Sequence, residues 1–321
     1  MERIIGTVTG KNKGPLIIIC CALHGNENAG LKALESIFNK LYSINPNLIS
    51  GKLIGIIGNM EALKTGERYI DKDLNRMWRD HDVQTILNCP VPLELVEEVQ
   101  LKEIHNLIKL EQVKYPSSKN IFMDLHTTSA NHGVFGIIPD VMVGDKIANQ
   151  LSVPIIVGLA ENLKGTALSY WTKQGMKGFA FEVGDHYAKE SVITMEAGIC
   201  MTLLSTGFIS EDDFPTLVQY DQTLNKIKRD IPQYVKLVYH HFIKPIDKFV
   251  MLPNFQNFQM VKKGELLAND KNGPIFAAED SFILMPLYQD QGQDGFFLVK
   301  PFKDERIDTK QTTRYQGTSI N

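Results

Sequence analysis

The sequence predicts an α/β protein with a mixed, mostly parallel sheet flanked by helices, followed by a small C-terminal all-β domain. Three observations carry this. Over most of the first 215 of 321 residues, short apolar runs alternate with longer amphipathic ones. Several of the short runs are apolar at consecutive positions, the pattern of strands buried on both faces. Beyond about residue 215 the chain changes to short strand-like pieces separated by Pro, Gly, Asn and Asp.

Taken in order, residues 15–23 (PLIIICCAL), 53–59, 120–127 (NIFMDLHT), 133–139, 153–159 and 178–184 (GFAFEVG) read as strands. The segment 27–42 reads as a helix, with Leu31, Leu34, Ile37, Phe38 and Leu41 at spacings of three and four. Residues 91–113 and 191–208 repeat that pattern, and 214–231 gives a last helix. Strand-like pieces then follow at 233–243, 247–252, 259–268, 273–279, 281–288 and 295–301. The division is therefore 1–229 for the α/β unit and 230–321 for the β domain, with a polar tail from Asp304 that reads as partly disordered.

Composition narrows the function classes. Hydrophobic content of 43% and charged content of 22% are ordinary for a globular protein. A net charge of -3 with no block of like charges gives no reason to expect nucleic acid. No apolar run approaches the ~20 residues that span a bilayer, and the opening MERIIGTVTG lacks the pattern of a secretory signal. The expected location is the cytoplasm, without a membrane partner. Of the four cysteines, Cys20 and Cys21 are adjacent in an apolar run and Cys89 and Cys200 stand alone, so they read as buried small hydrophobes.

Chemistry-bearing residues gather at the carboxyl ends of the strands, where α/β sheets place their sites. His24 follows strand 15–23, and Glu27 lies three residues on, in the expected first turn of the next helix. His126 ends strand 120–127. Two histidines and one carboxylate are the ligand set of a catalytic zinc site with an open position for water, and this donor set favours Zn2+ among divalent ions. Glu182 ends strand 178–184, where a carboxylate that is not a ligand can accept a proton. The segment GERYIDKDLNRMWRD (66–80) holds Arg68, Arg76 and Arg79, three of only seven arginines. Their forks suit an anionic substrate, Asn75 adds a neutral donor, and an arginine can also stabilise an oxyanion. Asp124, two residues before His126, faces the same side of a strand, which suits an outer partner or a structural role. His132 and His186 read as pocket or surface residues, His105 as exposed on its helix, and His240 and His241 as facing opposite ways on one strand.

The words HGNE (24–27), RYIDKDLNR (68–76), DLHTT (124–128) and FEVG (181–184) resemble, in this order, the succinylglutamate desuccinylase/aspartoacylase family, a branch of the zinc carboxypeptidase-like superfamily. The nine-residue RYIDKDLNR is the most specific of them. The resemblance implies a zinc carboxypeptidase-like fold, one zinc ion on His24, Glu27 and His126, and Glu182 as general base. It implies Arg68 as the group that polarises the scissile carbonyl, Asn75 and Arg76 as carboxylate binders, and Tyr170 as a pocket tyrosine. The implied reaction is hydrolysis of a small anionic N-acyl amino acid to a carboxylate and a free amino acid, with the β domain narrowing the entrance. A carboxypeptidase acting on short peptides is the alternative, a non-catalytic zinc-binding protein is a third reading, and a homo-oligomer is compatible with all of them.

The match departs in two places. The family's aspartoacylases carry a further arginine before the catalytic glutamate, and residues 161–181 here contain none, offering only Lys164, Lys173 and Lys177. In PIFAAEDSF, Phe282 stands where a substrate-contacting tyrosine is expected from the resemblance. Both departures point away from N-acetylaspartate and leave the zinc chemistry intact.

Overall fold

A computed structural model describes residues 2–212, 217–227 and 231–307. The boundary read at 229/230, the ends of the helix read over 214–231 and the tail from residue 308 lie outside these residues. The strands are β1 (Ile4–Thr9), β2 (Asn12–Cys21), β3 (Ser50–Ile57), β4 (Asn120–Thr128), β5 (Val134–Ile138), β6 (Ile155–Val157), β7 (Lys177–Asp185), β8 (Tyr234–Phe242), β9 (Val250–Met251), β10 (Gln259–Val261), β11 (Leu266–Asp270), β12 (Gly273–Phe276), β13 (Ser281–Leu284) and β14 (Asp294–Pro301). The helices are α1 (Ala29–Tyr42), α2 (Met60–Thr65), α3 (Asp80–Leu87), α4 (Val96–Lys114), α5 (Lys146–Gln150), α6 (Leu159–Asn162), α7 (Ala167–Lys173), α8 (Lys189–Thr206) and α9 (Leu217–Ile227).

One sheet of 11 strands runs in the order β1-β3-β2-β4-β7-β5-β6-β8-β14-β13-β10, and β12-β11-β9 form a second, small antiparallel sheet. Strands β3, β2, β4 and β7 are mutually parallel, and β5 turns the sheet antiparallel against β7. The α/β class with a mixed sheet is thus what the apolar runs encode. In the centre, alternation decides the two faces. Ile17 and Ile19 of β2 pack with Leu34, Ile37 and Phe38 of α1. Leu16, Ile18 and Cys20 point the other way, into Leu101, Ile104 and Trp171 of α4 and α7. The three buried cysteines Cys20, Cys21 and Cys200 are unpaired, and burial raises their thiols.

Three details differ from the sequence reading. Strands β8, β14, β13 and β10 join the main sheet through the parallel pairing of β6 with β8, so only β9, β11 and β12 stand apart as a separate sheet. The run read over 259–268 divides at the turn containing Gly264 into β10 and β11, which belong to different sheets. His105, read as exposed, is 8% exposed because Tyr170 and Trp171 of α7 cover that side of α4.

Candidate active site

The carboxyl ends of three neighbouring parallel strands, β2, β4 and β7, meet at one cavity of about 830 Å³, counting its open mouth. His126 and Glu182 are register partners across β4 and β7. After β2 the backbone passes through a positive φ of 53° at Ala22, a conformation held by its carbonyl accepting from Asn59 N at 2.8 Å. His24 and Glu27 follow on the turn before α1. Glu27 lies ahead of that helix rather than in its first turn, because α1 begins at Ala29. A Cβ on Gly25 would lie 2.1 Å from the backbone of Ala62, so only glycine lets this turn pack against α2.

The turn and β4 bring the predicted ligand atoms together. Glu27 Oε1 lies 2.8 Å from His24 Nδ1, and its Oε2 lies 3.0 Å from His126 Nδ1 and accepts from Thr127 N at 2.9 Å. Ligand atoms of His24, Glu27 and His126 all fall within 4.8 Å of one another, and all three residues are buried. Burial raises the Glu27 carboxyl, but the two imidazoles outweigh it and hold the group well below the usual carboxylate range. Asp124 Oδ2 approaches His126 Nε2 to 2.9 Å without hydrogen-bond geometry, and both its oxygens are buried with no hydrogen-bond partner. The convergence of two imidazoles and a carboxylate, with an unsatisfied acid behind them, fits a divalent ion better than a hydrogen-bonded core. Burial pushes Glu182 up to about 8, with His126 working against the rise.

The 66–80 segment supplies the other wall. Arg68 donates to Asp73 Oδ2 from Nε at 3.1 Å and from Nη2 at 3.0 Å, while Asp73 Oδ1 lies 3.2 Å from His24 Nε2. Asp73 also caps the 3-10 turn Leu74–Arg76 by accepting from Asn75 N. Asn75 accepts from Ala167 N at 2.9 Å, and its Nδ2 lies 3.2 Å from His126 Nε2. Arg76 donates to its neighbour's carbonyl at Asn75 and, at 2.5 Å, to Asp294 Oδ2 on β14. Burial raises the Asp294 carboxyl, yet Arg76 and a 2.8 Å contact from His240 bring it down to about 2. The segment is held from behind by Glu97, which is fully buried on α4 and accepts from the backbone N–H of Ile70, Asp71 and Lys72.

Of the residues read from sequence, His24, Glu27, Arg68, Asn75, Arg76, His126 and Glu182 therefore line one cavity, as do Asp124 and His186. Tyr170 does not. Its ring packs between Trp78 and Trp171 in the core, and its hydroxyl lies 3.1 Å from His105 Nε2. The cause is local: α7 presents Leu168 to the cavity and turns Tyr170 to the opposite face. Arg79 is exposed ahead of α3, and His132 lies in a different cleft beside β5. His240 and His241 do diverge, one toward Asp294 and the other stacked on Phe296. None of Lys164, Lys173 and Lys177 lines the cavity. All three are exposed, and the last two reach Asp80 and Asp145. Phe282 is half-buried against an apolar cluster and does not line the cavity, whereas Met285 and Leu287 do. Sequence reading missed Asp73, Glu97 and Asp294. Asp73 sat inside a quoted motif, but nothing distinguishes Glu97 from Glu98, and Asp294 arrives from 218 residues away.

Comparison with known proteins bears on this geometry. A family model for the succinylglutamate desuccinylase/aspartoacylase catalytic domain matches residues 13–199. A probable aspartoacylase of Prochlorococcus marinus (strain NATL2A) is 26% identical over 293 residues, covering 85% of this chain and 86% of the relative. A succinylglutamate desuccinylase of Shewanella sp. (strain W3-18-1) is 23% identical, covering 81% and 74%. Among solved structures, a succinylglutamate desuccinylase/aspartoacylase from Rhodobacter sphaeroides covers 93% of this chain and 88% of its own with a TM-score of 0.64. Its identity of 15% makes that a likeness of fold.

Proposed function

The chain belongs to the succinylglutamate desuccinylase/aspartoacylase family, and on that premise we propose that it hydrolyses the amide bond of N-acyl amino acids at a zinc site held by His24, Glu27 and His126. The observation that carries this reading is the convergence of those three buried ligands beside Glu182, which has no place in the ligand set. Zinc bound there would supply Lewis acidity toward water and the amide carbonyl.

The chain's own residues do the rest. Glu182 accepts the proton of the attacking water and passes it to the leaving nitrogen, so that one carboxylate serves both halves of the reaction. Arg68 faces the cavity 3.8 Å from Glu27 and stabilises the oxyanion that develops on the carbonyl. Asn75 and Arg76 bind the α-carboxylate of the amino acid. The two hydrogen bonds of Arg76 leave donors to spare among its five. The β domain, read as 230–321, narrows the entrance: Met285, Leu287, Gln289 and Gly292 line the cavity, and Gln289 accepts from Asn26 at 3.1 Å. That covering favours a short acyl group over a peptide upstream of the scissile bond. Among the described residues, no helix is long and apolar enough to cross a membrane.

The test is amine release from a panel of N-acetyl and N-succinyl amino acids and dipeptides by the zinc-loaded protein. Turnover of the acyl amino acids, on the order of 1–10³ s⁻¹ for an ordinary enzyme, is expected, with slower cleavage of dipeptides. Zinc binding without turnover of any substrate would instead describe a metal-binding protein.

A further inference from the structure

Part of the cavity lining is apolar: Ile137, Ala160, Leu163, Leu168, Ala180 and Phe297, beside polar residues that include Thr128, Ser129, Thr166, His186 and Gln289. The apolar residues come from β5, α6 and the residue that follows it, α7, β7 and β14, and they belong to or pack on one apolar cluster. Met285 and Leu287 extend the same surface toward the mouth.

This wall adjoins the Asn75–Arg76 pair. Ala167 N donates to Asn75 Oδ1, and Gly165 (φ +77°) sits so close to the carbonyl of Arg76 that a Cβ would lie 2.3 Å from its oxygen. Leu163 and Leu168 flank this contact on either side in sequence. In an N-acyl amino acid, one carbon carries both the α-carboxylate and the side chain. A carboxylate held at Asn75 and Arg76 therefore delivers the side chain to the apolar wall.

Charge points the same way. The cavity's cationic side chains, apart from its histidines, are Arg68 and Arg76, and no lysine lines it among the described residues. Arg68 is paired with Asp73 and Arg76 with Asp294, which His240 also holds. A second substrate carboxylate would find no further arginine or lysine, because Arg68 and Arg76 are already assigned to the carbonyl and the α-carboxylate. Burying an unpaired carboxylate is strongly unfavourable, whereas burying methylenes is favourable.

We infer that the site takes N-acyl derivatives of amino acids with uncharged, apolar side chains, and that the wall of Leu163, Leu168 and Phe297 selects them. The inference rests on the deacylase reading above. It sets this chain apart from relatives named for acylated aspartate or glutamate.

The experiment measures kcat/KM of the zinc-loaded protein for the N-acetyl derivatives of leucine, methionine, phenylalanine, aspartate and glutamate. It repeats them with Leu163→Lys, a half-buried position where an added cation can reach solvent. The wild type is expected to prefer the apolar members by at least ~10-fold, the scale on which a hydrophobic pocket discriminates. Leu163→Lys is expected to cut that ratio by a similar factor. Equal or better hydrolysis of the aspartate and glutamate derivatives by the wild type would overturn the inference and leave the deacylase reading standing. No amine release from any member would overturn both. If Leu163→Lys folds and its ratio stays that of the wild type, the assignment of this wall is wrong.

Discussion

Glu182→Gln is expected to lower kcat by about 10²–10⁴-fold while the protein keeps its fold and its metal, the usual range for losing a general acid–base group. The substitution keeps size and shape, and it removes the one property the reaction needs there. Glu182 stands on β7 opposite His126 on β4, in a cavity where burial pushes its carboxyl up to about 8. A carboxamide cannot take the proton from water or return it to the departing nitrogen. The loss should fall on kcat, with KM changing little, because the substitution leaves Asn75 and Arg76, the residues assigned to the substrate carboxylate, in place. Steady-state kinetics beside metal analysis of the same sample check this. Near-wild-type turnover would remove Glu182 from the mechanism.

Glu27→Ala is expected to be more damaging, because it affects binding, structure and chemistry together. Glu27 bridges both histidines and also accepts from Thr127 N. Its removal takes away one ligand and unties the other two. It also leaves a buried backbone N–H without a partner, which costs about 1–3 kcal/mol of stability. The variant should purify with far less than one zinc per chain, melt earlier than the wild type and release no amine above background. A variant that still binds one equivalent of zinc tightly would remove Glu27 from the ligand set.

How much of this could be read from the sequence differs by element. The central strands could be read because burial on both faces makes them apolar at consecutive positions, as β2 shows over residues 15–21 between β3 and β4. Three of the motifs gather at the candidate site because β2, β4 and β7 are adjacent, parallel and end together, whereas RYIDKDLNR comes from the segment between α2 and α3. Less legible was whatever depends on contacts between distant segments. Strand β8 joins β6 through a parallel pairing that no local pattern announces, which is how the C-terminal strands come to extend the main sheet. The pairing of Arg76 with Asp294 has the same character. Tyr170 shows the opposite difficulty. Its sequence position is near the site, yet helical periodicity on α7 gives the cavity to Leu168 and sends the tyrosine toward His105. Phe282 stands close in sequence to residues that line the cavity but does not line it itself.

The most direct measurement is a zinc titration of chelator-stripped protein, following amine release from an N-acyl amino acid. The rate should start near zero, rise linearly and level off at one zinc per chain, with Glu27→Ala failing to respond over the same range. Full activity in the stripped protein, or equal restoration in Glu27→Ala, would contradict a mechanism built on His24, Glu27 and His126.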